Sequence, residues 1–172
     1  REVYPAEVPA GALVQVAGVD VQDDRLEVQV TGYGLGEESW RITRRVLWGD
    51  PADDLVWNDL DDIILAGRWD REGGGQMAVA ASCIDSGGHH TKKVYAYVKT
   101  RTARRVFATI GRAGFGRQIV SAPSKKRYGR DRRPVDVFIV GVDEVKRLVH
   151  ARLRKPEPGP GYCHFPLTDE FG

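Results

Sequence analysis

Asp20, Asp85 and Asp143 stand out for their positions: Asp20 and Asp85 close apolar runs, and Asp143 lies where a strand-like run gives way to a helical one. In an open α/β sheet the carboxyl ends of parallel strands converge on one crevice, which brings together residues far apart in sequence. Carboxylates gathered there repel one another unless a cation lies between them. Mg²⁺ and Mn²⁺ take such hard oxygen ligands, together with water and phosphate oxygen. Two ions roughly 4 Å apart stabilise both the attacking water and the leaving oxygen of a phosphodiester, so the expected chemistry is metal-dependent hydrolysis of nucleic acid. Each acid also has a structural alternative. Asp20 could cap the turn that follows it, Asp85 could start the turn at Ser86-Gly87-Gly88, and Asp143 could cap a helix. Glu144 is the alternative third ligand; Asp136, at the start of a strand, ranks last.

Residues 111–133 show no hydrophobic period and hold Arg112, Arg117, Lys125, Lys126, Arg127, Arg130, Arg132 and Arg133 against the single acid Asp131. In a chain with 26 Lys+Arg and 24 Asp+Glu, that local excess is the expected phosphate contact. Tyr128 and Phe115 could stack on bases, but nothing points to base-specific reading. Cys83, His89, His90, Cys163 and His164 fit no standard zinc spacing, although His89 and His90 follow Asp85 closely enough to lie near the crevice.

These side chains need a scaffold. The valine-rich run 13–21 reads as a buried strand, the alternation from Leu26 to Thr31 as a half-buried strand, and 39–48 as a third, giving an antiparallel meander. Val56, Leu60, Ile63 and Ile64 share one helical face. The run 77–84 predicts a strand, 91–98 a helix and 106–110 another strand, the pattern of a parallel crossover. Val135 to Val140 is the last strand. A helix with Val145, Leu148 and Val149 on one face follows, then a tail punctuated by prolines that is expected to wrap over the surface. The fold class is α/β: a mixed sheet of about five to six strands flanked by helices.

A chain of 172 residues suits one domain, and its two cysteines are too few for a disulfide scaffold, which favours a reducing, intracellular setting. No apolar run approaches a membrane span. Arg1 in place of Met suggests a piece of a longer protein, with 1–12 a linker, 13–166 the domain and 167–172 a tail.

The blocks GVDVQDDRLEVQVTGYGLGEESW, CIDSGGHHTKKVYAYVK, GVDEVKRLVHARL and YCHFP, in this order, resemble the nuclease domain of the large terminase subunit of tailed phages, in the lambda-like branch. The likeness runs from about Val16 to Pro166. It implies a ribonuclease H-like fold and a metal-dependent endonuclease cutting concatemeric double-stranded viral DNA, with the family's acids falling on Asp20, Asp85 and, by position, Asp143 or Glu144. It further implies two Mg²⁺ or Mn²⁺ ions and a packaging ATPase domain ahead of residues 1–12. The implied partners are the small subunit and the portal or procapsid, and the implied location is the cytoplasm of an infected bacterium. No GxxxxGK[ST] loop occurs, so no ATPase activity is expected of this segment. The alternatives are a resolvase or transposase core, and an inactive DNA- or capsid-docking module.

Overall fold

Alternating valines make the centre of the sheet. In a computed structural model that describes residues 1–128 and 133–171, β1 (Val14–Val21) pairs antiparallel with β2 (Arg25–Tyr33), and β2 pairs antiparallel with β3 (Ser39–Trp48). The first turn is closed by the Gln22 N–H donating to the Arg25 carbonyl at 3.0 Å, which sets Val21 opposite Leu26. Between β2 and β3, Gly36 has φ +63° and a Cβ there would stand 2.8 Å from Pro160, so this turn requires glycine.

Helix α1 (Leu55–Ile64) follows, then a small hairpin of β4 (Trp69–Asp70) and β5 (Gln76–Met77) around Gly73, Gly74 and Gly75. The run expected as one strand over 77–84 is split: Met77 ends β5, and β6 (Val79–Asp85) carries the acid. Helix α2 (Thr91–Lys99) leads to β7 (Val106–Arg112), and β9 (Pro134–Gly141) leads directly into α3 (Val142–Leu153).

With the short strands β8 (Ser124–Arg127) and β10 (Cys163–His164), the main sheet has eight strands among the described residues rather than five to six, in the order β10-β3-β2-β1-β6-β7-β9-β8. These two edge strands account for the difference. β8 lies inside the stretch expected to be irregular and pairs antiparallel with β9; β10 brings the tail alongside β3. Neither carries an apolar alternation, because an edge strand can be held by ladder hydrogen bonds alone. The parallel pairs β1·β6, β6·β7 and β7·β9 adjoin the antiparallel meander as expected.

The core lies on one face of the sheet. Ala17 and Val19 of β1, Leu26, Val28 and Val30 of β2, Ile84 of β6 and Val106 and Ala108 of β7 pack against Val56 and Leu60 of α1 and Val94 and Val98 of α2. Leu60 is fully buried, so truncating it to Ala would cost about 2–5 kcal/mol. Asp61 fastens the two helices together: it accepts the Tyr97 hydroxyl at 2.6 Å and a guanidinium pair from Arg101, whose Nε donates at 2.8 Å. By contrast α3 buries no side chain, and Val149 is exposed, so its expected apolar face is not a core face. Within residues 1–12, Val8 and Ala12 are buried with Trp40 in a second, smaller cluster, while Val3 is exposed. His164, also buried, stacks on Trp40 at 4.8 Å with its two ring nitrogens 2.7 Å from Glu2 and Glu38, which ties the tail to the first residues.

Candidate active site on the uncovered face of the sheet

The residues that alternate with the core positions point to the opposite face. Asp20 is exposed at the carboxyl end of β1, and the parallel ladder ends at Val19 with Ile84, which leaves Asp20 and Asp85 as the next residues of adjacent strands. Asp20 is paired with Glu27 on its other side, and Asp85 with Thr109. One row across the sheet therefore reads Glu27, Asp20, Asp85, Thr109. A groove of about 440 Å³ lies over these residues and over Gly18, Gln29, Arg44 and Cys83.

The loops after the two acids are tied to each other and to the sheet. The Gln22 amide donates to Asp20, and the Gly87 N–H donates to Asp85 Oδ1 at 3.0 Å, so Asp85 does start the turn that its sequence allowed. A Cβ on Gly87 would be 3.3 Å from that same oxygen, so the close approach there suits glycine. Ser86, buried, donates to the Thr109 carbonyl at 2.7 Å, and Thr91 donates to the carbonyls of Ser86 and Gly88 at 2.7 and 2.8 Å. His89 Nδ1 stands 3.0 Å from Asp23 Oδ1, joining the loop after β6 to the turn after β1.

Glu27 is held by two guanidiniums: Arg25 Nε donates to Oε1 at 2.9 Å and Arg44 to Oε2 at 2.7 Å. The Arg44 bond, aided by Arg25, keeps its carboxyl below the ordinary glutamate range. Glu27 is not among the acids that the sequence singles out. A signal for it exists, since a tight turn at Asp23-Asp24 places Glu27 opposite Asp20.

Asp143 and Glu144 have another engagement in this structure. The N-cap of α3 is Gly141, so neither acid caps the helix; Asp143 Oδ2 accepts the Gly114 N–H at 2.7 Å and Glu144 Oε1 accepts that of Gly116 at 3.1 Å. Arg147 and the Gly116 N–H hold the Glu144 carboxyl below its usual range. Both acids lie beyond the carboxyl end of β9, the same sheet edge as Asp20 and Asp85, and β9 is separated from β6 by β7. Among the described residues no three His, Cys, Asp or Glu side chains gather closely enough to hold a metal ion. Asp136 is exposed in the early part of β9, paired with Lys125 of β8.

Of the basic residues, Arg112 is exposed at the end of β7, Arg117 donates to the Ala113 carbonyl at 2.8 Å, and Lys125, Lys126 and Arg127 are exposed along β8. Arg133 lies just before β9; Arg130 and Arg132 lie outside the described residues. Phe115 is exposed, and Tyr128 has Lys92 Nζ 5.7 Å from its ring centroid. Cys163 and His164 sit on β10, four strands away from Cys83 on β6, which separates the residues that a zinc site would have to gather. Among the described residues no helix is long and apolar enough to cross a membrane.

The carboxylates on adjacent strands, beside a groove open to a polymer, suit a hard cation and a phosphate, and comparison with known proteins agrees with a nuclease. The model of the family described as "Terminase large subunit gpA, endonuclease domain" matches residues 1–171. The large terminase subunit of Escherichia phage lambda is 33% identical over 175 residues, covering 99% of this chain and 26% of that protein. The large terminase subunit of Enterobacteria phage P21 is 29% identical over 157 residues, covering 91% of this chain and 24% of that protein. No solved structure matches. The chain thus spans about a quarter of the length of these relatives. It belongs to the family of terminase large-subunit endonuclease domains.

Proposed function

We propose that this endonuclease domain cuts double-stranded concatemeric DNA by a metal-dependent, two-ion hydrolysis centred on Asp20 and Asp85. The observation that carries the reading is the placement of these two carboxylates on neighbouring parallel strands, where both line one groove of about 440 Å³. A central strand that carries the first acid, an antiparallel meander on one side of it and parallel strands on the other support a ribonuclease H-like fold.

The donor set fits Mg²⁺ or Mn²⁺: hard carboxylate oxygens, each held by one hydrogen bond and otherwise turned to an open groove. Asp20 and Asp85 would share the ions, and Asp143, with Glu144 as its alternative, would complete the set. When bound, the ions supply a water acidified toward hydroxide and charge stabilisation for the leaving oxygen. The protein's own part is orientation. Gln22 and the Gly87 N–H fix the carboxylates, Ser86 and Thr91 hold the loop beneath Asp85, and the cations of 112–133 hold the phosphate backbone. Family membership favours this reading over a resolvase or transposase core and over an inactive docking module. The packaging ATPase, the small subunit, the portal and the infected host's cytoplasm belong to the same proposal.

The test is nicking of supercoiled plasmid in Mg²⁺, Mn²⁺ or EDTA by the parent chain and by Asp20→Asn and Asp85→Asn. Cutting by the parent with a divalent ion and not in EDTA, lost in both variants, is the expected result. Parental cutting in EDTA, or a variant that cuts at the parental rate, would refute the assignment.

A further inference from the structure

Gly18 sits on β1 two residues before Asp20, on the face of the sheet opposite the core. It pairs with Gln29 of β2 on one side and Cys83 of β6 on the other. A Cβ built on it meets nothing within 4 Å, and its backbone is not in the left-handed region. Neither packing nor conformation therefore asks for glycine at a position where a central strand favours a β-branched residue. What the missing side chain does provide is depth: Gly18 forms the floor of the groove that ends at Asp20 and Asp85. Among the described residues α1 and α2 take the core face, and α3, which follows β9, buries no side chain.

The wall on the meander side carries guanidiniums and an indole. Arg44, paired with Gln29 across the β2·β3 ladder, lines the groove and keeps nearly half of its side chain exposed. Beyond it, Arg25 lies 5.4 Å from the ring centroid of Trp48, which is 68% exposed. Glu27 engages both guanidiniums and Asp24 engages Arg25 as well, so the pairs balance in charge and hold the guanidiniums in a fixed geometry, with Arg44 the one that lines the groove. A bare floor beside fixed guanidiniums and an exposed indole is what a polynucleotide strand requires: close approach of its backbone, a phosphate contact and a stacking surface.

We infer that the DNA strand to be cut reaches Asp20 and Asp85 along this uncovered sheet face, with its backbone over Gly18 and a phosphate adjoining the cut held by Arg44. This inference rests on the nuclease reading and adds a track on the β2·β3 side, across the sheet from the basic segment around β8. Gly18 acts here as an aperture, and Arg44 as a positioning residue.

The experiment compares the parent with Gly18→Ala, Gly18→Val, Arg44→Ala and Arg44→Lys, measuring thermal unfolding, anisotropy of a labelled 20-base-pair duplex in EDTA over a salt series, and plasmid nicking in Mn²⁺. Gly18→Val should unfold at or above the parental temperature, since the fold has room for it, and should lose about 10²-fold in nicking through misplacement of the strand, with Gly18→Ala in between. Arg44→Ala should lower the salt slope of binding by about one, and Arg44→Lys should restore it. A folded Gly18→Val that binds and nicks within twofold of the parent overturns the track. If the parent itself does not nick, the nuclease reading fails by that result alone; the anisotropy then decides the track, unchanged affinity in both Gly18→Val and Arg44→Ala overturning it.

Discussion

Glu27 faces Asp20 directly across the antiparallel β1·β2 ladder, and both side chains lie on the uncovered face of the sheet. Arg25 and Arg44 engage Glu27, and among the described residues no guanidinium pairs with Asp20. Glu27→Gln removes a negative charge about 5 Å from Asp20 and releases Arg44, a cation that competes for it, while Arg25 keeps Asp24. The Mn²⁺ concentration for half-maximal nicking should rise by about 3- to 10-fold, the effect of one such charge in a partly wet site. A titration of nicking against Mn²⁺ checks this; an unchanged midpoint would show that Glu27 does not contribute to the field at the site.

Asp143 and Glu144 each hold one backbone N–H of the loop 113–117, and Glu144 also pairs with Arg147, so a fold readout beside nicking separates their structural from their chemical roles. As third ligand, Asp143→Asn should lower nicking by at least about 10²-fold, as for a misplaced catalytic group, while Glu144→Gln stays within a few fold. The reverse order would transfer the role to Glu144. Nicking rates of the two variants at saturating Mn²⁺ decide between them.

Lys125, Lys126 and Arg127 line an exposed edge strand. Replacing all three by Gln should reduce the slope of log affinity against log salt by about 2–3, close to one for each phosphate of duplex DNA that is no longer neutralised. The same slope in variant and parent would remove β8 from the DNA-binding surface.

Asp61 gives the fold an acid-sensitive fastening. Burial raises its carboxyl pKa, but the bonds from Arg101 and Tyr97 outweigh this and hold it below the ordinary range. A carboxyl depressed in the folded state stabilises fully above its unfolded value, near 3.9, and that contribution fades as the pH falls through the folded value. Asp61→Asn should cost about 2 kcal/mol at neutral pH. Its unfolding temperature should then fall less steeply than the parent's on acidification below about pH 4. Parallel curves for the two proteins would place the acid sensitivity elsewhere.

The pattern of side chains determined the elements that carry the first two acids. Alternating valines fix which faces of β1 and β2 enter the core, and the apolar stripes of α1 and α2 require both helices to cover that same face. The valines around Asp20 and the strand run before Asp85 are legible for the same reason, because burial imposes a period on sequence. Short edge strands impose none, so β8 and β10 appear only in the folded chain. The tertiary structure also decided which residues share the groove. Arg44 stands opposite Gln29 because the β2·β3 register runs unbroken as far as a shift between Val30 and Thr31, and a bulge of one residue moves every later side chain to the other face. Likewise the backbone N–H groups that engage Asp143 and Glu144 come from a loop with no hydrophobic period, so only the assembled molecule determines where those two acids point.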